Sequence, residues 1–275
     1  MKKQPRTPRE IKPILAALAE EGTVLLGGQS VGVWSLIYEK PDREPWKSCR
    51  PYTSLDVDGL GDRREVVRVA KRLEKSGYQS DSPNSGKLVV RRPGFEIEID
   101  FLQTVRGLDA QEIRSQAPRI LWDGLQLPML SPLLCVESKT HNLLTLPQEL
   151  SREPRQDKKH LLLSVANLRQ HLTKNTTDAP EPALLQTAER LIDLAIHQPG
   201  REVKRQHSIE LLDGLPWEVW RKCERHALCE LARSEARLRQ EVEARIEDLK
   251  EIDSWVAKLK GKPRTSPSRS RPRGQ

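Results

Sequence analysis

The sequence predicts an α+β chain in which a mixed sheet with flanking helices, residues 1–130, is followed by a helical domain, residues 131–260. Three observations predict it. Short apolar runs bounded by glycine or proline alternate with helical stripes over the first 130 residues. From Ser131-Pro132 onward the apolar residues keep three-four spacing. Residues 261–275 hold only Pro, Ser, Thr, Gly, Gln, Lys and Arg, with nothing apolar to dock on a core, and read as a disordered basic tail.

The elements follow in order. Residues 8–19 carry Ile11, Ile14, Leu15 and Leu18 on one helical stripe with Pro8 at its start. Thr23 to Leu26 reads as a buried strand, ended by Gly27-Gly28, and a helix over 30–38 would have Ser30 near its N-cap. The Pro- and charge-rich stretch 40–51 is a loop. A strand follows over 53–58, then a helix over 62–76 with Val66, Val67, Ala70 and Leu73 inward and Gly77 as its stop. Strands over 87–92 and 95–101 are joined by Arg92-Pro93-Gly94. In the second, Phe95, Ile97, Ile99 and Phe101 take one face, and Glu96, Glu98 and Asp100 the other. The helical part reads as helices over 132–146, 156–173 and 182–196, then a long one over 216–260. In that last helix Leu238, Val242, Ile246, Leu249, Ile252, Val256 and Leu259 suit packing or a short coiled coil.

Composition narrows the function classes. No stretch approaches the roughly 20 apolar residues of a membrane span, and the N-terminal Met-Lys-Lys-Gln-Pro-Arg lacks an apolar segment behind it, so a cytoplasmic protein without a membrane partner is expected. Cys49, Cys135, Cys223 and Cys229 form no C-x-x-C pair, and the six histidines form no ligand cluster, which argues against a zinc site. The net charge of +8 is concentrated at the C-terminus, where seven Lys and Arg from Lys258 onward meet no acid. Any hold on a polyanion would therefore be a salt-sensitive attraction by the tail, or the tail is simply solubilising.

The chemistry-bearing residues are few. In Leu25-Leu26-Gly27-Gly28-Gln29-Ser30 a glycine pair leaves an apolar strand, which lets backbone N–H groups approach a phosphate. In Ser54-Leu55-Asp56-Val57-Asp58 two carboxylates at i and i+2 of a strand point to one face and can share a divalent metal. Either signal alone is weak, because G-G-x-S is a turn in most proteins, but their order and strand context reinforce each other.

These residues resemble the nucleotidyltransferase superfamily related to DNA polymerase beta, whose signature is an apolar strand, G-G or G-S, a D-x-D strand and a third carboxylate on a neighbouring strand. Gly27, Gly28 and Ser30 match the first element, Asp56 and Asp58 the second, and Asp100 the third, with Glu98 as its competitor. Lys139, followed by Arg155-Gln156-Asp157, is similar to the K…R-x-D segment of the AbiEii and MenT toxin-type branch. The resemblance implies a nucleotidyltransferase fold and an enzyme that moves a nucleotide from an NTP to a hydroxyl, with a tRNA end or a protein side chain as acceptor. It also implies a place in a toxin–antitoxin or phage-defence system, with a cognate antitoxin as a potential partner. Asp56, Asp58 and Asp100 would hold Mg²⁺ or Mn²⁺, and Asp100 would also orient or deprotonate the hydroxyl. Gly27, Gly28 and Ser30 would hold the β and γ phosphates, Lys139 would lie over the triphosphate, and Asp157 would orient that lysine or a metal-bound water. The 25 residues between Ser30 and Asp56 exceed the compact family spacing, so 40–51 is expected as an insertion beside the site, where Trp46 would anchor packing or stack on a base. The competing expectation is a catalytically silent member of the fold acting as an antitoxin or nucleic-acid-binding module, against which the three retained acids speak.

Overall fold

The computed structural model describes residues 4–73, 77–79, 85–92, 95–146 and 155–260. The first half runs α1 (Lys12–Glu20), β1 (Val24–Leu25), α2 (Gly27–Tyr38), a single turn α3 (Trp46–Cys49), β2 (Asp56–Leu60), α4 (Arg63–Arg72), β3 (Gly77–Gln79), β4 (Gly86–Arg92), β5 (Phe95–Leu102), α5 (Ala110–Gln116), β6 (Arg119–Trp122) and β7 (Leu125–Pro128). The second half is helical: α6 (Pro132–Thr145), α7 (Asp157–Asn175), α8 (Glu181–Ile196), α9 (Gln198–His207), a 3-10 turn over Leu211–Gly214, α10 (Trp217–Trp220), α11 (His226–Arg233) and α12 (Glu235–Lys260). No helix among the described residues is long and apolar enough to cross a membrane. The basic tail, 261–275, lies outside the described residues, as do the side chains of Ile252, Val256 and Leu259.

The sheet order is β1-β2-β5-β4-β3. Among the described strand ladders β2 and β5 pair in parallel and the others antiparallel, and the β2–β5 register sets Asp56 beside Glu98, Val57 beside Ile99 and Asp58 beside Asp100. Because side chains alternate across a strand, this register gives the sheet two opposite characters. Val57, Leu88, Val90, Ile97 and Ile99 are buried on one face, while Asp56, Asp58, Glu98 and Asp100 share the other. The α+β architecture and most element positions match the sequence expectation.

Three differences have physical causes. The helix after the glycines begins at Gly27, a turn earlier than expected, with extended Leu26 as its N-cap, so Ser30 sits inside the first turn and caps nothing. On α4, Val66 and Val69 are fully buried but Val67 is 56% exposed, because Asp62 caps the helix in a capping box with Glu65 and fixes which stripe faces inward. The expected long helix is broken into α10, α11 and α12. Trp217 and Trp220 bury their rings, with the Trp217 indole donating to the Leu212 carbonyl and that of Trp220 to Thr176 Oγ1, and these anchors interrupt the helix before α12 starts.

Two apolar cores result. One joins the sheet to α1, α2 and α4, and the other lies among α6 to α12. Helices α6 and α7 belong to both, since Leu134, Cys135 and Leu163 pack in the first, and Leu133, Val136, Leu161 and Val165 in the second. A polar clasp adds to this seam: the Arg190 guanidinium on α8 donates to Glu112 on α5 at 3.1 Å and to Glu137 on α6 at 2.7 Å. Burial pushes the Glu137 carboxyl above its usual range, and the arginine offsets part of that. Arg190→Met should cost about 2 kcal/mol in denaturant unfolding, because it strands a buried carboxylate, and a cost within error of zero would assign Glu137 a partner other than this clasp.

Candidate active site

The site forms where the β1–α2 turn, the acids of β2, the end of β5, the C-terminal half of α6 and the start of α7 converge on a cavity of about 670 Å³. Asp56, Asp58 and Asp100 each bring one carboxylate oxygen to a common point, all within 4.8 Å of one another. Two spacings produce this: i and i+2 on β2, and the parallel register that sets Asp100 beside Asp58. Burial first, and the neighbouring charge of Asp56 second, push the Asp58 carboxyl well above the usual carboxylate range. Glu98, on the same face, instead pairs with Lys87 on β4, while Asp100 lies 3.8 Å from that lysine. Geometry thus brings Asp100 rather than Glu98 into the cluster.

Gly27 and Gly28 form the opposite edge of the acids and line the cavity. Gly27 has φ +62°, and a Cβ there would fall 1.9 Å from Asp58 Oδ2. A Cβ on Gly28 would fall 2.5 Å from His160 Cε1 and 2.6 Å from Ser54 Oγ. The pair is therefore required by a close approach of backbone to acid and histidine, and the open N-terminus of α2 faces the cavity where an anion is favoured.

The far wall is cationic. Lys139, 6% exposed on α6, donates to Asp157 Oδ1 at 3.2 Å, and Arg155 donates to Asp157 Oδ2 at 2.7 Å. Burial alone would raise the Asp157 carboxyl, yet the charge of Lys139 and the hydrogen bond from Arg155 hold it below its usual range. Lys139, Arg155 and Asp157 line the cavity with Asp56 and Asp58, so residues 83 positions apart share one site across the two halves of the chain.

Ser30 is placed elsewhere. It is fully buried within α2, its hydroxyl 3.3 Å from the Cys135 thiol on α6, and it does not line the cavity, which corrects the expectation that it stands with the glycines there. The segment 40–51 packs against α7 rather than lining the cavity, and Trp46 is buried there, donating to Asn167 Oδ1 at 3.1 Å. Its anchoring role is the one observed; a buried indole has no face left for a base.

Several lining residues had gone unread. Ser54 donates to Asp56 Oδ1 at 3.2 Å, and it continues the alternate-residue series Ser54, Asp56, Asp58. His160, three residues after Asp157 on α7, donates from Nε2 to the Thr53 carbonyl at 3.0 Å and so ties α7 to the entry of β2. Helical periodicity carried that signal. Thr104, Arg106 and Asn142 also line the cavity, and no sequence pattern marked them.

Burial, and then the charge of Lys139, lower the His160 pKa to about 3. A histidine lowered on folding gives its full stability above the unfolded value near 6.5, and loses it as pH falls toward the folded value, because only the unfolded chain takes the proton. Between pH 7 and pH 5 the His160 contribution should fall by about 2 kcal/mol. Asp58, displaced upward, gains stability over the same window, so the His160 effect is read as the difference between wild type and His160→Asn in chemical unfolding at both pH values. An unchanged difference would place a proton on His160 in the folded protein. No family model, curated protein or solved structure matches this chain, so a function for it has to be built on the geometry of this cavity.

Proposed function

We propose that the protein is a metal-dependent nucleotidyltransferase that moves a nucleotide from an NTP to a hydroxyl acceptor, with a tRNA end or a protein side chain as the acceptor and a toxin-like role in a toxin–antitoxin or phage-defence system. The observation that carries the enzymatic reading is the facing arrangement of three convergent carboxylates and a buried Lys139 across one cavity whose edge is a glycine turn. Three clustered carboxylates and no soft ligand suit Mg²⁺ or Mn²⁺, and Asp56, Asp58 and Asp100 would hold it. When bound, such an ion draws charge from the α-phosphate and lowers the pKa of the acceptor hydroxyl.

The chain's own groups account for the remainder. Gly27 and Gly28 let the N-terminal amides of α2 meet the β and γ phosphates. Lys139 sets a fixed positive charge against the triphosphate, held in place by Asp157, while Arg155 shares that carboxylate and extends the cationic wall. The acceptor oxygen bonds to the α-phosphorus, the α–β bridging bond breaks, pyrophosphate leaves with that electron pair, and the hydroxyl proton passes to Asp100. His160 contributes no proton at neutral pH; it holds the strand entry against α7.

Incubation with labelled NTPs, Mg²⁺ or Mn²⁺ and total RNA should place label on RNA or on protein. Asp58→Asn should abolish transfer with the fold retained, since it removes a charge at almost constant volume, and full activity in that variant would end the enzyme assignment. Lys139→Ala should weaken NTP binding at least tenfold, as expected for loss of a charged contact, and unaltered binding would remove the lysine from the triphosphate site.

A further inference from the structure

Helices α2 and α7 run side by side in the same direction. Gly28 approaches His160 at one end, Ser35 Oγ accepts from Asn167 Nδ2 at 3.0 Å midway, and the Tyr38 hydroxyl lies 2.8 Å from His171 Nδ1 at the other. Their N-terminal ends border the cavity, so their C-terminal ends come together about 16 Å away from it, given a rise of about 1.5 Å per residue from His160 to His171. Four cations gather there. Lys174 Nζ lies 4.7 Å over the Tyr38 ring, and Lys40 follows Tyr38 just past the end of α2. The Arg43 amide donates to the Lys40 carbonyl at 2.9 Å in a turn that folds Arg43 back beside Lys40, and Arg169 joins them from α7. Lys40 is half-buried and the other three are exposed. Burial first, and then the charges of Arg43, Arg169 and Lys174, hold the Lys40 ammonium below its usual pKa. None of the four has an ion pair among the described residues: Asp42, in the same turn, pairs with none of them, and Glu39 is taken by Arg50 and Tyr52. One cation at each helix C-terminus would complement the dipole there; further like charges beside them only repel, unless an anion lies across the group.

We propose that Lys40, Arg43, Arg169 and Lys174 form a binding surface for the sugar–phosphate backbone of a nucleic-acid strand, outside the cavity and built by the folded chain rather than by the basic tail. The surface offers charge and no apolar contact. Trp34, stacked with Tyr38, is buried, and Lys174 lies over the Tyr38 ring. The large apolar side chains exposed among the described residues, Val67, Leu121 and Val219, lie on other elements. A protein partner needs a desolvated apolar patch at the centre of its interface, whereas a phosphodiester backbone is held by cations alone through release of its counterions. The inference goes beyond the transferase reading, since a strand can dock here without any reaction in the cavity.

Equilibrium binding of labelled oligouridine and oligothymidine to the full chain over a range of salt, without NTP or divalent ion, tests this. Wild type should bind at least one of the two, and absence of binding to both overturns the surface. Arg43→Gln/Arg169→Gln should weaken that binding by about tenfold at low salt and lower the slope of log K against log salt by about 1.4, two phosphate contacts at ~0.7 each. Wild-type affinity and slope in this variant overturn the surface and leave the attraction to the tail. Its unfolding midpoint should be no lower than that of wild type, because both side chains are exposed and lack ion pairs among the described residues. A drop in the midpoint would assign the arginines to the fold and overturn the surface. Arg233→Gln/Arg237→Gln makes the same change in net charge on α11 and α12 and should bind as wild type does; an equal loss there reduces the effect to net charge and overturns the surface. Displacement by poly-glutamate as effective as by unlabelled oligonucleotide overturns the nucleic-acid assignment in favour of an acidic protein. With no NTP present, each of these outcomes leaves the transferase reading where it stands.

Discussion

Three carboxylates gathered within 4.8 Å repel one another, and much of this protein is arranged around that repulsion. At such a separation each pair of charges opposes assembly by roughly 3–4 kcal/mol even at an effective dielectric of about 20. The parallel pairing of β2 with β5 enforces the approach through backbone hydrogen bonds that do not depend on the acids. Part of the repulsion is relieved as Asp58 is shifted toward its neutral form, and part by Lys139 and Arg155, both of which lower the cost of its charge. Lys139 is buried and Arg155 exposed, and Asp157 compensates both. The chain of compensation runs from β2 through the cavity to the start of α7, linking the two halves electrostatically as well as by packing.

The parts of the fold legible in the sequence were those whose signal is local and repeated. Alternation in Phe95 to Phe101 marked β5 and its acid face, and the stripe in Lys12 to Glu20 marked α1 to within a few residues. The hairpin β6–β7 was also local, in the pair Asp123-Gly124 with both residues at positive φ, but it sat in a stretch too short to show alternation. The long helix over 216–260 was misread because its apolar spacing continues through Trp217 and Trp220. Those residues are inward for a different reason, as ring anchors against Leu212 and Thr176, and no periodicity distinguishes the two. Glycine at 107 was invisible for the same reason: its need arises from His141, 34 positions away.

Asp56, Asp58, Asp100, Gly27, Gly28, Lys139 and Asp157 stood out in the sequence by residue type and order, and the folded chain brings all seven to one region. Ser30 was misplaced because the helix starts one turn early, which rotates its hydroxyl away from the turn and toward Cys135. His160 stands three residues after Asp157 on α7, a spacing visible in the sequence, whereas its close approach to Gly28 is a tertiary fact that spacing does not show.

The sharing of α6 and α7 between both cores bears on how the cavity operates. Enzymes with a cleft between separately folded lobes can close on a substrate by hinging, because few packed side chains cross the hinge. Here the same two helices carry Leu134 and Leu163 inward on one side and Val136 and Leu161 on the other, so a rotation of one half would tear two close-packed interiors at once. The jaws are in effect a single casting. Such a cavity owes its order to the packing of the two interiors rather than to anything that occupies it, and whatever fills it meets walls already set by both cores.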